Sequence, residues 1–308
     1  MTDRSILVIG TRGSPLALAQ AHETQARLMA ALGWAEEQLP IQVIKVMGDA
    51  IQDRPLSEAG GKGLFTKEID IAQLEGAVDL AVHSAKDLPN DLPEGLAIGG
   101  YLPREDVRDA FISPLAARIQ DLPRGTRVGS ASLRRQAMIR RLRPDLEVGL
   151  LRGNVNTRLA KIERGDYGAT LLALAGLRRL GLEHHVTAVL DPDEFLPAVG
   201  QGAIAVTVRS GDERAREAVA RIADAPTGTA LAAERAFLRV LDGSCRTPIA
   251  GHARVSGAEI ALRGLVLRPD GSRSVEATRT GTGADAARLG AEAGHDIRAR
   301  LPPGFFSA

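Results

Sequence analysis

The 308 residues predict an α/β protein that ends in a small α+β domain. Two observations carry this. From Ile6 to Val208, short apolar runs alternate with segments of helical periodicity, the pattern of strands joined by helices in parallel sheets. Beyond Asp212 the pattern changes. Two helical segments lead into stretches of apolar and polar alternation, with turns at Gly257 and Pro269-Asp-Gly271, as in an antiparallel sheet. A hydrophobic content of 44% with 25% charged residues is that of a soluble globular chain long enough for two or three domains.

Taken in order, Ile6 to Ile9 reads as a strand, then Gly10-Thr-Arg-Gly-Ser-Pro15 leads into a helix reaching about Leu32. Ser14 suits the N-cap and Pro15 the first helical position. Ile41 to Val46 is a second strand. Gly48 to Gly63 is a long polar loop with four glycines, read as a lid. Leu64 to Glu75 is a helix, and strands follow at Val78 to Val82 and Leu96 to Tyr101. A second α/β unit begins near Arg104. Its strands are Ala110 to Ile112, Arg127 to Val128, Val148 to Leu151 and Ala169 to Ala173, and its helices Leu133 to Leu142 and Val155 to Arg164. One more strand runs from Ala203 to Val208. Helices at Asp212 to Ile222 and Thr227 to Leu241 precede strands at His252 to Val255, Glu259 to Leu267 and Ser274 to Thr280. The helix Ala284 to Leu301 covers that sheet.

A formal net charge of +1 gives no global field for nucleic acid or a membrane surface. Aromatic residues at 3% leave few stacking platforms, which argues against a nucleic-acid helix in the run Arg134 to Arg143. Of 39 basic residues only Lys45, Lys62, Lys67, Lys86 and Lys161 are lysines, and guanidinium forks suit carboxylate or phosphate. The single cysteine, Cys245, allows no intrachain disulfide and fits a reducing compartment. The apolar run near the N-terminus is too short for a signal peptide core, and no run approaches a membrane span, so a cytoplasmic protein is expected.

Val78-Asp-Leu-Ala-Val-His-Ser-Ala-Lys-Asp-Leu-Pro89 is a buried strand that ends in charge. A lysine beside a carboxylate at the mouth of a sheet is a candidate reaction centre, because open α/β sheets bind ligands there. Taken alone, it also suits a surface turn with an incidental ion pair. Three strand-to-helix corners carry arginine: Gly10-Thr-Arg12-Gly-Ser14, Gly129-Ser-Ala-Ser132-Leu-Arg134-Arg135 and Arg152-Gly-Asn154-Val-Asn-Thr-Arg158. Each arginine opposes the positive end of the helix dipole by roughly 0.3–1 kcal/mol. Three such corners suggest that a bound anion with several carboxylates offsets the cost. Gly10-Thr-Arg-Gly13 is not a dinucleotide fingerprint, Gly60-Gly-Lys62-Gly63 is not a P-loop, and the six histidines show no metal spacing. Cys245 lies in a loop beside Arg246, which favours thiolate, although a lone cysteine is more often a small buried hydrophobe.

Taken together, these motifs resemble the porphobilinogen deaminase (hydroxymethylbilane synthase) family. The matches run through Thr11-Arg12 with Ser14-Pro-Leu-Ala-Leu18, Gly60-Gly-Lys-Gly-Leu-Phe65, Val82-His-Ser-Ala-Lys-Asp87, Arg104-Glu-Asp106 and Gly129 to Gln136. They continue through Arg152 to Arg158, Pro197-Ala-Val-Gly-Gln-Gly202 and Gly243-Ser-Cys245. The resemblance implies two periplasmic-binding-protein-like (type II) α/β domains and a small α+β third domain. Domain 1 is then 1–102 with 202–221, domain 2 is 103–201 and domain 3 is 222–308. It implies a dipyrromethane cofactor joined by a thioether to Cys245, onto which four porphobilinogens are condensed with loss of ammonia before water releases hydroxymethylbilane. Asp87 matches the catalytic carboxylate, which stabilises the cationic azafulvene left by ammonia and accepts the pyrrole proton. Lys86 is expected to hold Asp87 ionised. Arg12, Ser14, Lys62, Phe65, Ser84, Ser130, Ser132, Arg134, Arg135, Arg152, Arg158, Arg179 and Gln201 match cofactor and substrate contacts. No metal is implied, and a monomer is expected.

Two departures stand out. Glu58 occupies a lid position where the family often has lysine, and Ser130-Ala-Ser132 replaces the more usual Thr-Ser-Ser. The alternative to an enzyme is a periplasmic-binding-type sensor closing on a polyanion without chemistry. Cys245 and Lys86-Asp87 separate the two, since a passive binder needs neither.

Overall fold

The computed structural model describes residues 6–50, 65–241 and 247–306. Lys62 and Glu58 in the expected lid, and Cys245 in the 242–246 segment, lie outside the described residues.

In chain order the first elements are β1 (Ile9–Arg12), α1 (Pro15–Leu32), β2 (Ile41–Ile44), α2 (Met47–Ala50), α3 (Lys67–Leu74), β3 (Leu80–Ser84) and β4 (Leu96–Tyr101). Next come β5 (Asp109–Ile112), β6 (Arg127–Gly129), α4 (Leu133–Leu142), β7 (Glu147–Gly149), α5 (Val155–Glu163), β8 (Ala169–Ala173), α6 (Leu174–Arg179) and β9 (Ala188–Val189). The rest comprises β10 (Ile204–Arg209), α7 (Glu213–Ala220), α8 (Ala225–Val240), β11 (Ile249–Ser256), β12 (Glu259–Leu267), β13 (Ser274–Thr282) and α9 (Ala286–Arg300). The expected bounds of β4, α4, β8 and β12 coincide with those observed. The other expected elements differ by a few residues, because strand ends are set by pairing and not by apolar content. α2, α6 and β9 had no expected counterpart, and α2 makes the first residues of the expected Gly48–Gly63 loop helical.

The described chain forms two compact units. The first contains 6–50, 65–105 and 202–228. Its sheet has the order β2-β1-β3-β10-β4. β1 pairs parallel with β2 and β3, whereas β10 runs antiparallel to β3 and β4. Leu7, Ile9, Leu28 and Leu80 are fully buried in its core, and each contributes roughly 1.5–3 kcal/mol. Ser14 caps α1 by accepting from Ala17 N at 3.3 Å, and Pro15 opens the helix, as expected.

The second unit contains 106–201 with 229–241 and 247–306. Its first sheet has the order β7-β6-β8-β5-β9, with β6 parallel to β7 and β8, and β5 antiparallel to β8 and β9. The sequence-based expectation of parallel sheets therefore needs correction, since each sheet holds one reversed strand. β5 and β10 are the strands that follow the two passages of the chain between units, so no helical crossover fixes their direction. The two sheets share one strand order, with the reversed strand fourth in each.

β11, β12 and β13 form an antiparallel sheet. It is covered by α9 and by Phe237 of α8, all within one apolar cluster. A Cβ on Gly264 would lie 2.5 Å from the Phe237 ring, so this crossing of helix and strand requires glycine. Ala250, Leu265 and Leu267 of this sheet share a second cluster with Phe111, Met138, Ile139 and Phe195. That shared core joins the tail to the second α/β sheet.

Candidate active site

In the first unit, parallel pairing of Ile9 with Leu80 and Gly10 with Ala81 brings the carboxyl ends of β1 and β3 side by side. β1 ends on Arg12. β3 ends on Ser84, and a tight helical turn, Ala85–Asp87, follows it. Ala85 N donates to Ala203 O at 3.0 Å, which anchors that turn to the start of β10. Arg12 Nη1 and Asp87 Oδ2 approach to 3.8 Å. The guanidinium lies 4.3 Å from the centroid of the Phe65 ring and stacks on it. Ser84 Oγ and the Gln20 side-chain amide are 3.0 and 3.1 Å apart. These groups, with Ser14, Leu16, Ala17, Thr66, Val82 and His83, line one pocket. It therefore offers a cation, a carboxylate, hydroxyls and a ring at the strand ends. Lys86 is half-buried in the turn between Ala85 and Asp87.

His83 is buried against β10, with Nε2 3.3 Å from Thr207 Oγ1. Burial, and then the nearby Arg12, push its pKa down to about 4.

In the second unit, Ser132 caps α4 by accepting from Arg135 N, and Ser130 Oγ accepts from Ser132 N at 3.2 Å. Asn154 caps α5. Gly153 reaches φ +111°, a left-handed conformation that lets Arg158 Nε donate to its carbonyl at 2.8 Å. Arg152 is buried, whereas Arg158 and Arg179, the last residue of α6, are half-buried.

Arg134 and Arg135 turn inward. Arg134 Nη2 donates to Asp109 Oδ2 at 2.8 Å, and Nη1 to Leu196 O at 2.8 Å. Arg135 donates to Asp109 Oδ1 through Nη2 at 2.6 Å and Nε at 3.0 Å, and to Leu171 O at 2.9 Å. The Gln201 amide donates to Asp109 Oδ1 at 3.0 Å and to Val107 O at 2.7 Å. Burial opposes the charge on Asp109. Both guanidinium groups and Gln201 overcome it and hold the acid at about 2. At this corner the anion that offsets the dipole cost is the protein's own. Arg134 Nε alone of its nitrogens is buried with no hydrogen-bond partner.

Asp109, His83 and Gln20 are site residues that the sequence reading missed. Asp109 left one signal, a carboxylate at the head of the apolar run Asp109-Ala-Phe-Ile112. Among the described residues no cluster of His, Asp or Glu could hold a metal ion.

A family model described as porphobilinogen deaminase, dipyromethane cofactor binding domain, matches residues 7–217, and the model of that enzyme's C-terminal domain matches 229–299. The chain belongs to the porphobilinogen deaminase family. Porphobilinogen deaminases of Nitrobacter winogradskyi and Nitrobacter hamburgensis are each 59% identical to it over 302 residues, covering 98% of this chain and 96% of theirs. A periplasmic substrate-binding protein of an ABC transporter from Coxiella burnetii superposes with a TM-score of 0.44 at 14% identity, covering 70% of this chain and 92% of its own. As a porphobilinogen deaminase the chain is a transferase of tetrapyrrole synthesis that uses a dipyrromethane cofactor. The comparisons support this reading and not that of a passive polyanion sensor.

Proposed function

We propose that Asp87 is the carboxylate on which the condensation of porphobilinogen turns, that Arg12, Ser14, Phe65 and Ser84 receive the substrate beside it, and that the dipyrromethane is attached through a thioether to Cys245. One observation supports this above the others: Arg12 and Asp87, 3.8 Å apart, share a pocket at adjacent strand ends. An acidic pyrrole carrying an aminomethyl group needs that combination. The Arg12 fork takes a carboxylate, and the Asp87 oxygens take up positive charge.

The donor set fits the cofactor as well. Its acidic side arms need guanidinium groups and hydroxyls, and Ser130, Ser132, Arg152, Arg158 and Arg179 supply them. Arg134 retains one buried donor, Nε, with no hydrogen-bond partner. Arg135 and Gln201 belong to the same corner. Lys62 and Lys86 complete the proposed cationic contacts. When bound, the dipyrromethane supplies the pyrrole α-carbon to which the first substrate is joined.

Asp87 then has two tasks. When the carbon–nitrogen bond of the substrate's protonated aminomethyl group breaks, ammonia departs with the bonding pair and the positive charge passes to the methylene carbon; the carboxylate stabilises that charge. The same carboxylate would then serve as the base for the proton released when the new carbon–carbon bond is made. Four rounds and a final addition of water give hydroxymethylbilane. We further read the chain as a three-domain cytoplasmic monomer. Its single cysteine supports the compartment, and among the described residues no helix is long and apolar enough to cross a membrane.

The test is Asp87→Asn in the holoenzyme. Ammonia release is expected to fall by at least about a hundredfold, the scale of a lost acid–base group. An undiminished rate overturns the assignment.

A further inference from the structure

Besides Arg12 and Asp87, His83 is the titratable side chain that lines the pocket among the described residues, and the mechanism above gives it no part. His83 is 5% exposed. On β10, Thr207 pairs with Ala81, two residues back along β3 on the same face, which sets its hydroxyl 3.3 Å from His83 Nε2.

The direction of that hydrogen bond follows from Gln73. Its Nε2 donates to the carbonyls of Asp79 and Thr207 at 3.2 and 2.8 Å. Its Oε1 is therefore an acceptor, and it takes the Thr207 hydroxyl proton at 2.9 Å. With that proton committed, Thr207 Oγ1 offers His83 only a lone pair, so Nε2 must be the donor. A neutral imidazole carries a single N–H, which leaves Nδ1 as the lone-pair nitrogen.

Arg12 on β1 is the charge that acts on the ring. The neighbours from β10 and α3, Thr207 and Gln73, are uncharged. Asp87, from the turn after β3, is paired with Arg12. Burial and Arg12 both disfavour a second proton.

We infer that His83 is a positioning residue of the condensation, bound as the neutral Nε2–H tautomer so that it shapes the pocket without adding charge opposite Asp87. The chemistry explains the need. Positive charge moves onto the pyrrole methylene as ammonia leaves, and an imidazolium beside it would oppose that. It would also repel the Arg12 guanidinium from its place beside Asp87. The inference rests on the proposed role of Asp87. The tautomer of the resting enzyme does not, so the two can fail separately.

The experiment is nitrogen NMR of the histidine rings in the holoenzyme, with His83 assigned by backbone connectivity. A protonated Nε2 and a bare Nδ1 are expected from about pH 6 to about pH 8. An imidazolium at about pH 6, or an Nδ1–H tautomer, overturns the inference. Thr207→Val removes the acceptor and keeps the shape. It is expected to mix the two tautomers and lower kcat about tenfold, the rate equivalent of one lost hydrogen bond, with KM nearly constant. Thr207→Ser is expected to restore both readouts. If Thr207→Val shifts the tautomer and leaves kcat alone, or lowers kcat without shifting the tautomer, the positioning role is wrong.

Discussion

Asp109 Oδ1 lies 2.6 Å from Arg135 Nη2, and the two side chains are among the most enclosed charged groups of the described chain. With Arg134 on Oδ2, one carboxylate balances two guanidinium groups at the start of α4. The corner is therefore rigid before any ligand arrives, and its cost is met inside the protein.

Asp109→Asn is expected to destabilise the fold by roughly 3–5 kcal/mol, because it leaves two buried cations without their counter-charge. Urea denaturation measures this. The acid branch gives a second readout. The folded pKa of about 2 lies below the ordinary 3.8, so the contribution is full above the unfolded value and is lost as pH falls through the folded one. Wild type should lose about 2 kcal/mol from this group across that window. Asp109→Asn should show a flatter dependence there.

His83 works in a higher window. Its folded pKa of about 4 lies below the ordinary 6.5, so the unfolded chain takes up a proton first as the pH drops. Stability is full above about 6.5 and declines until about 4, by about 3 kcal/mol in all. His83→Gln should remove that slope in denaturation curves collected across the window, whatever its effect on stability at neutral pH.

Arg12→Lys keeps the charge but loses the planar fork and the stacking on Phe65. Because a substrate carboxylate is held in both the ground and the transition state, KM should rise about tenfold or more while kcat changes less. Steady-state kinetics with porphobilinogen decide it. An unchanged KM would place the substrate carboxylate elsewhere.

Cys245→Ser should yield a chain whose intact mass equals its sequence mass, with no covalent dipyrromethane and no turnover. Wild type should carry the added mass. A fully active wild-type chain at sequence mass alone would rule out the thioether.

Much of the site was legible in local sequence. Ser14 was expected to cap its helix, and it does; Ser132 and Asn154, read only as polar residues of the arginine corners, cap α4 and α5 as well. The bounds of α4, β8 and β12 followed from periodicity. The motif around Asp87, together with the other separated motifs, identified the family. The pairing of Arg134 and Arg135 with a carboxylate twenty-five and twenty-six residues away was not legible, and the reading assigned both forks to a ligand.

By itself the sequence determined the longer helices, the Ser14 cap, most strand cores and the family's order of motifs, because these depend on contacts within about four residues or on residue identity alone. Tertiary structure decided the reversed direction of β5 and β10, the burial of Asp109 beneath two arginines, and the Thr207 contact 124 residues from His83. Those features depend on which strand lies beside which, and no local pattern encodes that order.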